Sequence, residues 1–157
     1  MPKTLSADAQ KEFDWIVTRY PQKRAALLPT LRIIEKDFGR IDPEGMQLAA
    51  KLIGMSPAEV LGVVSFYTHY KRETDGKYVV WVCNTLPCAL RGAGALTKQI
   101  ETKLGVHSGQ TTKDGKFTLK KAECLASCDT APCLQVDDDH YENVTEAQLE
   151  AIFAKYK

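Results

Sequence analysis

The chain has 157 residues, 44% hydrophobic and 26% charged, enough for one well-filled core or two small ones. Its 21 Lys and Arg against 20 Asp and Glu leave a formal charge of +1, which argues against a generally basic, nucleic-acid-coating protein. The N-terminal dozen lacks both an apolar signal core and an Arg-rich, acid-free transit composition, and apolar runs such as 60–67 fall far short of the roughly 20 residues that span a bilayer. The expectation is a cytoplasmic chain, peripheral to a membrane at most and with no direct membrane insertion. In a reducing compartment, cysteine pairs signal metal or redox chemistry more often than structural disulfides.

Residues 6–70 read as four short helices. Leu27, Leu28, Leu31, Ile34 and Phe38 recur at helical spacing, and Gly39 follows as a stop. Asp42-Pro43 offers an N-cap with proline at the first helical position. Ser56-Pro57-Ala58-Glu59 repeats that signal and adds a capping box. Helices of this length are unstable alone and must pack together or against a partner. Trp15, Phe66 and Tyr67 are candidate anchors for a partner, although Phe66 reads better as core. After Asp75-Gly76 the texture changes: 77–83 reads as a strand, 90–103 as a helix, 117–124 and 131–137 as strands. A second capping box, Thr145 to Gln148, opens a final helix with Leu149, Ile152 and Phe153 on one face. The order β, α, β, β, α fits a compact α/β sandwich, and the turn 74–77 is the best domain boundary.

The chemistry lies in the cysteines. Cys83 and Cys88 form a C-x4-C pair, Cys124 and Cys128 a C-x3-C pair, and each pair begins at the end of an expected strand. If those strands share a sheet and end on the same side, four sulfurs converge at one edge. Spacing alone leaves tetrahedral zinc, a [2Fe-2S] cluster and redox thiols open, and the plant-type ferredoxin order is absent. The apolar loop Asn84-Thr85-Leu86-Pro87 suits a bulky cofactor shielded from water. The segment 89–95 after Cys88 would start a helix whose free N–H groups favour negatively charged sulfur.

Other features have plainer readings. Gly92-Ala93-Gly94 resembles part of a dinucleotide fingerprint, but Thr97 stands where a third glycine belongs. Arg91 reads as a solvated or partner-facing charge. Cys133 reads as a small buried hydrophobe, with replacement of Cys128 as a ligand the alternative. His69, His107 and His140 are scattered singly and read as surface or core residues. Asp137-Asp138-Asp139 reads as a turn with a solvated acidic face.

The stretches SFYTH from Ser65, CNTLPCALRG from Cys83 and ECLASCDTAP from Glu123 resemble the thioredoxin-like [2Fe-2S] ferredoxin family, which supplies a subunit of NADH:quinone oxidoreductase (respiratory complex I), and the resemblance runs over nearly the whole chain. It implies an α+β fold, with a small N-terminal helical bundle over 1–74 followed by a thioredoxin-like [2Fe-2S]-binding domain over 75–157. It implies one cluster held by Cys83, Cys88, Cys124 and Cys128, the first pair on one iron and the second on the other. The implied function is single-electron exchange with FMN on a partner subunit that binds NADH, without dehydrogenase activity in the chain alone. The implied place is the cytoplasmic side of a membrane complex, with a flavoprotein and other subunits as partners. A diaphorase subunit of an NAD-linked hydrogenase or formate dehydrogenase is the near alternative. A zinc-stabilised adaptor and a thioredoxin-like disulfide enzyme are the alternatives of other classes, the latter disfavoured because neither pair is C-x-x-C.

Overall fold

The structure, a computed structural model, describes residues 3–157; residues 1 and 2, which open the expected helical domain, lie outside the described residues. The chain divides into two compact units, Met1–Glu73 and Thr74–Lys157.

The first unit holds α1 (Ala7–Val17), a 3-10 turn (Lys23–Ala26), α2 (Leu27–Phe38), α3 (Pro43–Ile53) and α4 (Pro57–Phe66). Each α-helix start has a local cause where the sequence supplies a cap. The Asp42 carboxylate accepts the Gly45 N–H at 2.8 Å, and Ser56 and Glu59 satisfy one another's backbone donors. Packing then holds the short helices, with Leu31, Ile34, Ala49, Val60 and Val64 fully buried in one cluster. Tyr70 joins that cluster, its hydroxyl donating to the Leu28 carbonyl at 3.0 Å. Phe66, expected in the core, is 78% exposed. It follows Val64 by two residues, about 200° around the helix, which turns it away from the face that Val60 and Val64 bury.

The second unit holds β1 (Tyr78–Cys83), α5 (Leu86–Leu90), α6 (Ala93–Leu104), β2 (Phe117–Ala122), β3 (Leu134–Val136), β4 (Asp139–Tyr141) and α7 (Glu146–Ala154). The sheet order is β2-β1-β3-β4, with β1 parallel to β2 and antiparallel to β3, and β3 antiparallel to β4. The apolar run of β1 suits this central place, since Val79 to Cys83 are all buried. Helix α6 makes the crossover that parallel pairing requires, and Leu96 and Ile100 pack with Leu119, Leu134, Leu149 and Phe153. Among the described residues the chain has seven α-helices and a mixed four-stranded sheet, the α+β class expected.

Two departures from the expected order have local causes. The helix expected over 90–103 splits, because Gly92 takes φ +92°, a left-handed conformation that ends α5 and starts α6 afresh at Ala93. Strand β4 was not expected at all: its Asp-His-Tyr sequence carries no apolar alternation and pairs only through a two-residue hairpin at Asp137 and Asp138. The Asp137 carboxylate also accepts the Val79 N–H at 2.8 Å. At the unit boundary a side chain on Gly76 would come within 2.8 Å of the Gly115 carbonyl oxygen, so only glycine fits there. Beside it the buried Asp75 carboxylate pairs with Lys120 at 2.6 Å. Among the described residues no single helix is long and apolar enough to cross a membrane.

Candidate metal centre

The sheet register gathers the cysteines. Parallel pairing sets Cys83 opposite Ala122, so β1 and β2 end together and Cys124 follows two residues beyond the end of β2. Antiparallel β3 begins at this same edge, with Leu134 opposite Val82. Cys133 is thereby level with Cys83, whose N–H donates to the Cys133 carbonyl at 3.3 Å. Cys88 lies in α5, the turn of helix directly after β1. The condition read from sequence, strands of one sheet ending on one side, is met at the carboxyl edge, where open α/β sheets bind ligands.

The five thiols, all free, form two groups of different character. The sulfurs of Cys83, Cys88 and Cys133 are buried and lie within 4.8 Å of one another, with Cys88 and Cys133 at 3.8 Å. Cys124 and Cys128 are exposed, on the loop between β2 and β3. The structure therefore brings the first expected pair together with Cys133, and carries the second pair on a neighbouring loop. Cys133 is buried as expected, but it lies beside Cys88, which makes it a neighbour of the first pair.

Electrostatics separate the thiols further. Burial works against ionisation of Cys83, yet hydrogen bonds from the Thr85 hydroxyl at 3.2 Å and from the Thr85 and Leu125 amides outweigh it and bring the thiol down to about 7. Burial, and then the adjacent Cys83, hold Cys88 above the ordinary thiol range. Burial, and then the Cys88 sulfur, push Cys133 up to about 12. Desolvation raises Cys128 as well, and the thiols of Cys124, Cys88 and Cys83 add to it.

These residues fit a [2Fe-2S] group. Such a cluster takes four cysteine thiolates, and its negative sulfurs are stabilised by N–H donors. Amides of Thr85 and Leu125 reach Cys83, the Cys133 amide reaches Cys88, and the Ala126 amide donates to the Cys124 sulfur at 3.3 Å. The segment after Cys88 was expected to supply these donors; loop amides do so here, and α6 starts five residues beyond Cys88.

Sequence reasoning missed the groups that hold the loop. His140 on β4 shares a 2.7 Å hydrogen bond with Ser127, which lies between Cys124 and Cys128 in the chain. Arg91, expected as a solvated charge, donates from Nε to the Ala131 carbonyl at 3.2 Å and ties the end of α5 to the segment before Cys133. Neither leaves a local sequence signal, because each partner is brought by the sheet.

The family model described as thioredoxin-like [2Fe-2S] ferredoxin matches residues 13–157. The chain is 44% identical over 150 residues to "NADH-quinone oxidoreductase subunit 2" of Thermus thermophilus, covering 94% of this chain and 83% of that relative. It is 34% identical over 148 residues to an NADH-quinone oxidoreductase subunit of Rhizobium meliloti, covering 94% of this chain and 88% of that relative. Among solved structures it resembles an NAD+-reducing [NiFe]-hydrogenase in the air-oxidized state, with TM-score 0.73 at 18% identity over 83% of this chain and 22% of that one, a likeness of fold. With its cysteine edge and mixed sheet, the chain belongs to the thioredoxin-like [2Fe-2S] ferredoxin family.

Proposed function

We propose that this chain is the electron-transfer subunit of an NADH:quinone oxidoreductase, carrying one [2Fe-2S] cluster on Cys83, Cys88, Cys124 and Cys128 and exchanging single electrons with FMN on an NADH-binding partner subunit. The observation that carries the reading is a sheet edge where Cys83 and Cys88 are gathered and beside which the loop bearing Cys124 and Cys128 begins, in a chain 44% identical over 94% of its length to a subunit of such an oxidoreductase. That identity favours the quinone-linked complex over a hydrogenase, whose likeness is in fold. The proposed place is the cytoplasmic side of the complex.

A bound cluster supplies one-electron exchange. The chain's own residues fix its surroundings. Strand β1 and helix α5 hold Cys83 and Cys88 on hydrogen-bonded backbone, so their sulfurs are positioned before any metal arrives. Thr85 and the Leu125 amide favour the thiolate of Cys83. The loop of Cys124 and Cys128 leaves the other side accessible from solvent, the side from which an electron can enter. Leu86 and Leu90, 70% and 78% exposed and four residues apart on α5, form an apolar rim suited to a partner surface. In this reading residues 1–74 form the docking domain and 75–157 the cluster domain.

The chain purified without oxygen should contain about two irons and two labile sulfides, show a paramagnetic signal on dithionite reduction, and oxidise no NADH by itself. Colourless protein without iron after anaerobic reconstitution would overturn the reading. Removing residues 1–74 should leave the cluster bound while flavoprotein association weakens; the reverse result would refute the division between the two domains.

A further inference from the structure

We propose that Cys133 completes a second metal site, a three-thiolate zinc site formed by Cys83, Cys88 and Cys133, which closes when the cluster is absent. The spacing and backbone support of these sulfurs suit such an ion. Zinc bonds thiolate at about 2.3 Å, so tetrahedral zinc holds its sulfurs about 3.8 Å apart. Cys88 and Cys133 already stand at 3.8 Å, and all three sulfurs lie within 4.8 Å of one another. No large backbone movement is needed, because Cys83 and Cys133 are tied across β1 and β3 and Cys88 sits in the adjoining helical turn.

The ligand chemistry selects a soft or borderline cation: three thiolates and no carboxylate disfavour magnesium, calcium and manganese. On binding, three S–H protons leave and three Zn–S bonds form, with no change of oxidation state. A water carried in with the ion would complete the tetrahedral set. Cys83 and Cys88 also belong to the proposed cluster set, so zinc and cluster exclude one another. Cys133 belongs only to zinc and Cys124 and Cys128 only to the cluster, so the inference rests on the preceding ligand assignment for that contrast alone.

The test uses the full-length chain, reduced and metal-free under anaerobic conditions, titrated first with Co2+ and then with Zn2+ against a chromophoric chelator. One Co2+ per chain with intense tetrahedral thiolate absorption is expected, displaced by one Zn2+. Cys133→Ala and Cys133→Ser should each weaken zinc by more than about 100-fold, since even an outer-shell change costs about 10- to 100-fold. Cys124→Ala and Cys128→Ala should leave zinc affinity unchanged. Ser keeps nearly the volume of the thiol, so it decides the matter if Ala disturbs the fold, as read by circular dichroism. Absence of zinc binding, unchanged affinity in both Cys133 variants, or loss in the Cys124 or Cys128 variants overturns the proposal. Cluster reconstitution of the same variants tests the earlier reading separately: it fails if Cys128→Ala takes up iron and sulfide normally, whatever the zinc result.

Discussion

Cys83, Cys88 and Cys133 are buried on or beside hydrogen-bonded elements, whereas Cys124 and Cys128 are exposed on a loop fastened by a few polar contacts. The first group inherits its position from the sheet core. The backbone that carries its thiols shifts only with β1, β3 or α5. The second group depends on single hydrogen bonds such as Ser127 to His140. In the proposed four-cysteine site, two ligands would stand on rigid backbone and two on a loop, which would separate positioning from access: the core pair would define where a metal sits, and the loop pair how it is reached.

Removing one thiol from each group should have the largest effect. Cys124→Ala should abolish cluster assembly while leaving the melting temperature of the metal-free chain nearly unchanged, because the side chain is exposed. Cys83→Ala should abolish assembly and also lower the melting temperature. Iron content and circular dichroism together read both effects. Next in size is packing behind the first group. Leu134→Ala, at a fully buried position beside Cys133, should destabilise the chain by about 2–5 kcal/mol, measured by denaturant unfolding. Ser127→Ala in the loop should cost no more than about 1.5 kcal/mol.

A smaller effect is expected from His140→Ala, which removes the tie from β4 to the loop. Loss of iron to a chelator should quicken severalfold while thermal stability changes little. Equal loss rates in wild type and variant would show that the loop is held by other means. The smallest effect concerns Thr85. Its hydroxyl helps bring Cys83 from the ordinary 9.0 down to about 7, so in the metal-free chain this thiol stabilises the fold above about 9 and that contribution is lost as pH falls through about 7. Thr85→Val should flatten this dependence and raise the titration of the Cys83 thiolate, followed by its ultraviolet absorption.

What was legible in the sequence was what neighbours in the chain determine. The capping boxes at Ser56 and Thr145 act over three residues, and both form as read. The run 78–83 announced a buried strand because its apolar content admits little else. The family emerged from the stretches around the cysteines together with SFYTH from Ser65. What escaped depends on register. Cys133 meets Cys88 only because β3 pairs antiparallel with β1, a relation that the segment 131–137 does not encode by itself. His140 reaches Ser127 through a strand whose sequence looks like part of a turn. Phe66 misled for the opposite reason: an aromatic at the end of an apolar helix suggests core, but two residues past Val64 the helix has turned outward.

The exposure of Cys124 and Cys128 also bears on ageing. Dioxygen, peroxide and chelators arrive from solvent, and cysteine oxidation follows accessibility and thiolate character. Accessibility therefore puts the loop pair first, and among the enclosed thiols Cys83, brought down to about 7, is the one with thiolate character. The working lifetime of the centre is then a property of whatever surface covers that loop, so a chain stored alone should decay faster than the same chain in its complex.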